Sequence, residues 1–140
     1  MRRGSSGALA AVATCLVLAV LSVACAKPSK SLQSRIPNPD SKQYQTVRDA
    51  KDWKNPILIV GRDGIEVHGV TPAGETLPVE SVAGVLEGLP DSAWPYGLVV
   101  IVQENGIRTR GDSSSIEANR KRLSTVLADL GIAVELWPSA

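Results

Sequence analysis

The stretch Leu98-Val99-Val100-Ile101-Val102 decides the fold that we predict for this chain. All of its residues are aliphatic, and all but the first are Val or Ile, which favour β-strands. An unbroken apolar run of this length is typical of a strand that is buried on both faces of a sheet. We therefore expect residues 98–102 to form a central strand.

Two strands and a helix are predicted before this central strand. Residues 57–60 and 65–67 are apolar runs joined by Gly61-Arg62-Asp63-Gly64, a pattern that indicates a hairpin. Pro78 stands where the first turn of a helix would begin. The apolar positions that recur at helical spacing after it are Val79, Val82, Leu86 and Leu89.

A turn, a helix and a last strand are predicted after it. Residues 104–106 indicate a turn, and residues 107–110 are expected to pair back briefly. Ser114 and Glu117 fit a capping box, and Gly131 marks the end of the helix. The apolar stripe of this helix is Ile116, Leu123, Val126, Leu127 and Leu130. Residues 132–136 form the last predicted strand.

The predicted fold is therefore a small α/β (α+β) domain over residues 56–138, with the order β-β-α-β-α-β and two helices. Right-handed crossovers would make the last two long strands parallel. Residues 56–137 contain 27 Val, Leu and Ile residues, enough for an aliphatic core. Phe is absent, and the three Trp and two Tyr residues are scattered along the chain, which argues against an aromatic platform for sugars or bases.

The N-terminus has the features of an export signal. Arg2 and Arg3 precede a long uncharged apolar stretch, residues 8–26, which Lys27 and Pro28 end. A signal peptide has this order of basic and apolar parts. An uncleaved membrane helix also needs roughly 20 apolar residues, so length does not separate the two interpretations.

The residues Leu21-Ser22-Val23-Ala24-Cys25 resemble the lipobox of bacterial lipoproteins, with Ser22 where that family favours Leu. The resemblance implies cleavage between Ala24 and Cys25 and attachment of a membrane lipid to the Cys25 thiol. Residues 1–24 would be a signal peptide, and the exported protein would be anchored in the bacterial cell membrane or outer membrane. Ordinary secretion, with Ala24-Cys25-Ala26 as the cleavage site, and an uncleaved anchor are the alternatives.

Residues 25–55 are predicted to be a flexible tether that begins at the lipidated Cys25. They are rich in Pro and Ser, and residues 27–54 carry seven basic and three acidic side chains. Within this stretch residues 41–53 are expected to form a short helix, which Asp40 would cap. The formal net charge of the whole chain is only +1, which argues against nucleic acid as a partner.

The element order over residues 56–137, together with Leu130-Gly131-Ile132-Ala133-Val134, is similar to the periplasmic domain of the ExbD/TolR family. That family joins an N-terminal membrane segment to a linker and a small α/β domain. Its membrane segment carries an Asp that takes part in proton coupling, whereas residues 8–26 contain no acidic residue. The resemblance therefore implies an accessory subunit with an uncleaved helix, without the energy-coupling role.

No set of residues predicts catalysis, a cofactor or a metal site. His68 is the only histidine and no nucleophile elbow accompanies it, while no thiol follows Cys25. The alternative is a small envelope hydrolase or anion-binding protein that uses Arg108 and Arg110 together with the helix start. The hydroxyl residues there are Ser113, Ser114 and Ser115. We expect a non-catalytic lipoprotein whose domain binds another envelope protein.

Overall fold

A mixed four-stranded sheet with the order β2-β1-β3-β4 forms the centre of the computed structural model. The structure describes residues 30–106 and 111–139. The strands are β1 (Ile57–Val60), β2 (Ile65–His68), β3 (Val99–Glu104) and β4 (Ala133–Leu136). The helices are α1 (Leu32–Arg35), α2 (Val79–Glu87) and α3 (Asp112–Asp129), and short 3-10 turns span Ser41–Gln43, Ala50–Asp52 and Asp91–Ala93. The predicted α/β class is confirmed.

The strand predicted from residues 98–102 lies in the interior of the sheet. β3 pairs in parallel with β1 on one side and with β4 on the other. Its first four residues, Val99 to Val102, belong to the aliphatic run and are buried, as such a run requires. β1 and β2 form the predicted antiparallel hairpin, and the amide of Gly61 donates to the carbonyl of Gly64 in the turn.

The helices pack on one face of the sheet and form the main core. β1 and β3 contribute Leu58, Val60, Val100 and Val102 to it. The buried apolar residues of α2 and α3 are those of the predicted stripes, namely Val79, Val82, Leu86, Ile116, Leu123 and Leu127. Val126 and Leu130 are partly buried against the same core. The apolar residues that recur at helical spacing in the sequence therefore identified the packed faces of both helices correctly.

The two ends of α3 differ in how well they were predicted. Gly131 follows the helix with a φ of +70°, a left-handed conformation that ends helices, as expected. The capping box at Ser114 is wrong, because the helix begins earlier, at Asp112, with Gly111 as its N-cap. The hydroxyl of Ser114 donates to the carbonyl of Gly111 (3.3 Å) and does not accept a bond from the backbone.

The flexible tether predicted over residues 25–55 is wrong from residue 31 onward, because that segment packs on the domain. Leu32 and Ile36 are buried in the main core. The amide of Leu98 donates to the carbonyl of Pro37 (2.9 Å), which fixes the segment beside the start of β3. Gly97 allows this approach: its φ is +81°, and a Cβ there would lie 2.8 Å from the carbonyl oxygens of Pro37 and Asn38.

The short helix predicted over residues 41–53 is also wrong. Two separate 3-10 turns, Ser41–Gln43 and Ala50–Asp52, take its place. Asp40 caps the first turn, as expected, by accepting a hydrogen bond from the amide of Lys42 (3.1 Å). The carboxylate of Asp49 accepts from the amide of Lys51 (3.0 Å) in the same way. An Asp that bonds to the nearby backbone starts a new turn and competes with a continuous helix.

Four aromatic residues that are distant in sequence meet on the other face of the sheet. Trp53 lies at the centre of this aromatic cluster, with ring centroids 5.0 Å from Tyr96, 5.2 Å from Tyr44 and 5.9 Å from Trp137. Aromatic residues that are scattered along the sequence thus come together in the folded chain. Trp53 is only 6% exposed, so the cluster is a second small core and presents no open platform.

Asn55 joins the start of β1 to the start of β3. Its side chain is 4% exposed, and its Nδ2 donates to the carbonyls of Gly97 and Val99, both at 2.8 Å. Its Oδ1 accepts from the amide of Tyr96 at 2.9 Å. Each polar atom of this buried amide is therefore bonded, as buried polar groups require.

Several predicted features lie outside the described residues. They are Ala24 and Cys25, the apolar stretch 8–26, the expected pairing of residues 107–110, and Arg108 and Arg110. Within residues 30–106 and 111–139, none of the helices combines the length and the hydropathy that crossing a membrane requires.

Candidate functional site

The two edges of the sheet differ in whether their backbone groups are covered. Along β2, Ile65 and Leu77 exchange two backbone hydrogen bonds of 2.8 and 2.7 Å. The amide of Val67 donates to Oγ1 of Thr71 (3.2 Å), and its carbonyl accepts from the amide of Thr71 (2.9 Å). The chain following β2 therefore covers the outer side of that edge strand.

The outer side of β4 is open. The amides of Ala133 and Trp137 donate inward, to the carbonyls of Leu98 (2.9 Å) and Val102 (3.1 Å). Backbone groups alternate in direction along a strand, so those of Val134 and Leu136 point away from the sheet. No strand in the described part of the chain pairs with β4 on this side.

An apolar groove runs between this edge and α3. Val134 and Leu136 are in register with Val100 and Val102, so their side chains lie on the helix-bearing face. They are 38% and 70% exposed, respectively. The edge groove has a volume of about 430 Å³. Its lining consists of Val102, Leu123, Leu127, Val134 and Leu136 with Arg120, Lys121, Ser124 and Thr125 from α3.

The rim of the edge groove is basic. Arg120 and Lys121 line it, and no acidic residue from the described part of the chain does. The guanidinium of Arg120 lies 3.7 Å from the carboxylate of Glu104, and the ammonium of Lys121 lies 3.5 Å from that of Glu117. The pair of Lys121 and Glu117 is exposed, and such pairs contribute at most about 1 kcal/mol, whereas the carboxylate of Glu104 is only 28% exposed. Lys121 can therefore turn toward an additional anion more readily than Arg120.

The inner side and the far face of β4 are held in place. The hydroxyl of Tyr44 donates to Oε1 of Glu135 (3.4 Å), and Nε2 of Gln103 donates to the carbonyl of Pro138 (3.2 Å). Trp137 packs against Trp53 in the aromatic cluster. Burial, followed by the negative charge of Glu135, raises the pKa of Tyr44 and keeps its hydroxyl protonated. These contacts hold β4 in place, so the backbone groups on its open side have fixed positions.

At the start of α3, where an anion site was predicted, the described residues include a carboxylate. Asp112 is buried in the first turn, and Nη1 of Arg62 lies 3.4 Å from its Oδ1. A carboxylate at a helix N-terminus already complements the helix dipole and repels a second anion. Ser113 and Ser114 are exposed and Ser115 is partly buried in the same helix. This part of the chain therefore favours an internal ion pair over a bound anion.

His68 and possible metal ligands are the remaining candidates for chemistry. His68 lies exposed at the end of β2. Within residues 30–106 and 111–139, no group of three or more His, Cys, Asp and Glu residues is close enough to hold a metal ion. The strongest arrangement for function is the edge groove with the open backbone of β4.

No family model, no curated protein and no solved structure matches this chain. The resemblances to bacterial lipoproteins and to the ExbD/TolR family therefore stay predictions from the sequence. The sequence analysis did not identify the open edge. Its signal was the alternation Ala133-Val134-Glu135-Leu136, which is typical of an edge strand and contrasts with the continuous aliphatic run of β3.

Proposed function

We propose that this chain is an exported lipoprotein, anchored in the membrane through acylated Cys25, whose α/β domain binds another cell-envelope protein along the outer edge of β4. The observation that carries the binding role is the open backbone of β4 beside the edge groove. The lipobox-like residues that end at Cys25 support the anchoring role.

An uncovered apolar edge strand needs a physical explanation. Proteins protect such edges with Lys, Pro, bulges, covering loops or very short strands, because a free edge recruits other strands. Both edge strands here have only four residues, so length does not distinguish them. This chain covers β2 with residues 71–77, yet β4 contains neither Lys nor Pro and exposes Leu136 to solvent. A partner that covers β4 in the cell accounts for this difference between the two edges.

The packing of the N-terminal segment supports a short distance between the domain and the proposed anchor. Only residues 26–30 separate Cys25 from Ser31, where the packed segment begins. The six Cα–Cα steps from Cys25 to Ser31 span at most about 22 Å, even when fully extended. An acylated Cys25 would therefore hold the domain near the bilayer surface, and its partner would be met there.

Intact mass spectrometry of the chain purified from bacterial membranes tests the anchor. We expect a mature chain that begins at Cys25 and carries acyl groups, and we expect Cys25→Ser to abolish both processing and acylation. A chain that still begins at Met1 would support an uncleaved helix. A chain that begins at Lys27 without lipid would support plain secretion, and either result contradicts the proposal.

A photo-crosslinking amino acid placed at position 136 in living cells tests the binding edge. We expect a discrete adduct with another envelope protein. The matched control is position 70, because Val70 is also an exposed aliphatic residue (44%) but lies outside the edge groove. The same adducts from both positions, or none from position 136, would contradict binding at β4.

A further inference from the structure

We infer that the segment bound at β4 is a short extended peptide that alternates aliphatic residues with others and carries an acidic side chain. This inference rests on the proposed function and adds the chemistry of the partner. It follows from the extent of the open backbone, the lining of the edge groove and the charge of its rim.

The open backbone limits the length of the partner strand. Outward groups belong to Val134 and Leu136, which together offer two amides and two carbonyls. Before them, the amide of Ile132 is already bonded to the carbonyl of Leu127 (2.9 Å). After them, Pro138 has no amide hydrogen, and its carbonyl accepts from Gln103. An added strand of about five residues would use all four outward groups.

The edge groove determines which side chains of that strand are favourable. A strand added beside β4 would direct every second side chain toward the helix-bearing face, next to Val134 and Leu136. Aliphatic side chains there would cover the exposed surface of Leu136 and contact Leu127 on the floor of the groove. Burial of this apolar area favours binding by about 25 cal/mol per Å².

The rim of the groove determines the preferred charge. Arg120 and Lys121 are the charged residues of the lining, so an acidic side chain near them gains an attractive interaction and a basic one is repelled. The pair that Lys121 forms with Glu117 is exposed and opposes this attraction only weakly, while Arg120 also stays near the partly buried carboxylate of Glu104.

A second copy of the chain fits this edge less well. Antiparallel pairing of two β4 strands centred on Glu135 would place two Glu135 carboxylates opposite each other, which is destabilising. Twofold symmetry would also bring together two grooves with the same basic rim. Complementary charge therefore favours an acidic peptide, and a dimer is an outcome that the experiment must detect.

The test selects phage-displayed random peptides on the full chain in detergent micelles and measures their binding by fluorescence anisotropy. We expect the selected peptides to alternate aliphatic residues and to contain Asp or Glu. Leu136→Lys should weaken binding by about tenfold or more, because it adds a charge to the apolar groove and a Lys on an edge strand disfavours pairing with another strand. Val70→Lys, the matched control, should leave binding unchanged. Lys121→Glu should weaken acidic peptides and strengthen their basic counterparts.

Amide hydrogen exchange on the same complex locates the peptide. Exchange should slow at Val134 and Leu136, whose amides point outward, and stay unchanged at Ala133, whose amide is already bonded. A contrary outcome is a set of selected peptides that slow exchange at Val134 and Leu136 yet lack acidic residues, or that bind the Lys121→Glu variant as tightly as the native chain. Either result overturns the inference of an acidic partner and leaves binding at β4 intact. Peptides that bind without protecting Val134 and Leu136 overturn both. Protection of these amides in a dimer of the free chain, detected by sedimentation, would identify a second copy as the occupant.

Discussion

The substitution Asn55→Asp tests how the start of β1 is joined to the start of β3. In the native chain, Nδ2 donates to the carbonyls of Gly97 and Val99, while Oδ1 accepts from the amide of Tyr96. Asn55→Asp keeps the shape and the acceptor. It replaces the donor by an oxygen that would lie about 2.8 Å from two carbonyl oxygens.

The loss of stability follows from these contacts. The carbonyl of Val99 loses its hydrogen bond from Asn55, at about 1–3 kcal/mol, whereas the carbonyl of Gly97 keeps a bond from the amide of Val99 (2.8 Å). The site is only 4% exposed, so a negative charge there, close to two carbonyl oxygens, adds a desolvation cost. We expect Asn55→Asp to lower the free energy of unfolding by about 4 kcal/mol near neutral pH. A similar change at the exposed Asn38 should cost less than about 0.5 kcal/mol.

Urea unfolding of residues 26–140, followed by tryptophan fluorescence, measures these free energies at several pH values. Burial and the two carbonyls should raise the pKa of the new carboxyl in the folded chain. The deficit relative to the native chain should therefore be smallest below about pH 4 and grow as pH rises through the folded pKa. A deficit below about 1 kcal/mol, or one that does not change with pH, would refute the role given to Asn55.

Two further predictions concern the N-terminal segment and its contact with β4. Leu32→Ala should lower the free energy of unfolding by about 2–3 kcal/mol because Leu32 is buried, whereas exposed Ser34→Ala should have little effect; a flexible segment would give no loss in urea unfolding. In a Tyr96→Phe background, ultraviolet titration should show a raised pKa for Tyr44, and Glu135→Gln should lower it. Because the pKa of Tyr44 is raised in the folded chain, the stability that its protonated hydroxyl contributes should be complete below about pH 10 and be lost as pH rises further. An unchanged titration would contradict the contact with Glu135.

The sequence predicted the elements whose signals are local. The continuous aliphatic run identified β3 as an interior strand, and spacing at helical period identified the buried faces of α2 and α3. The hairpin followed from a Gly-rich turn between two apolar runs. In each case the residues that determine the structure are neighbours in the chain, so a window of a few residues contains the information.

The features that the sequence did not predict depend on contacts between distant residues. Leu32 and Ile36 stand alone among polar and Pro residues, so their burial is visible only once the core of α2 and α3 has formed. The aromatic cluster joins residues that are separated by up to about 90 positions. Composition suggested a solvated linker there, because a polar segment with few apolar residues has little to bury by itself.

The same long-range contacts connect the proposed anchor to the proposed binding edge. The segment that begins at Ser31 passes first beside Gly131, where the side chain of Gln33 packs just before β4 begins. It then crosses to the other face, where Tyr44 bonds to Glu135 within β4. One segment thus touches the start and the middle of the strand whose outer side is open. Because β4 is held through contacts on its inner side and its aromatic face, the order of the binding edge depends on a segment that a composition-based interpretation would treat as a dispensable spacer.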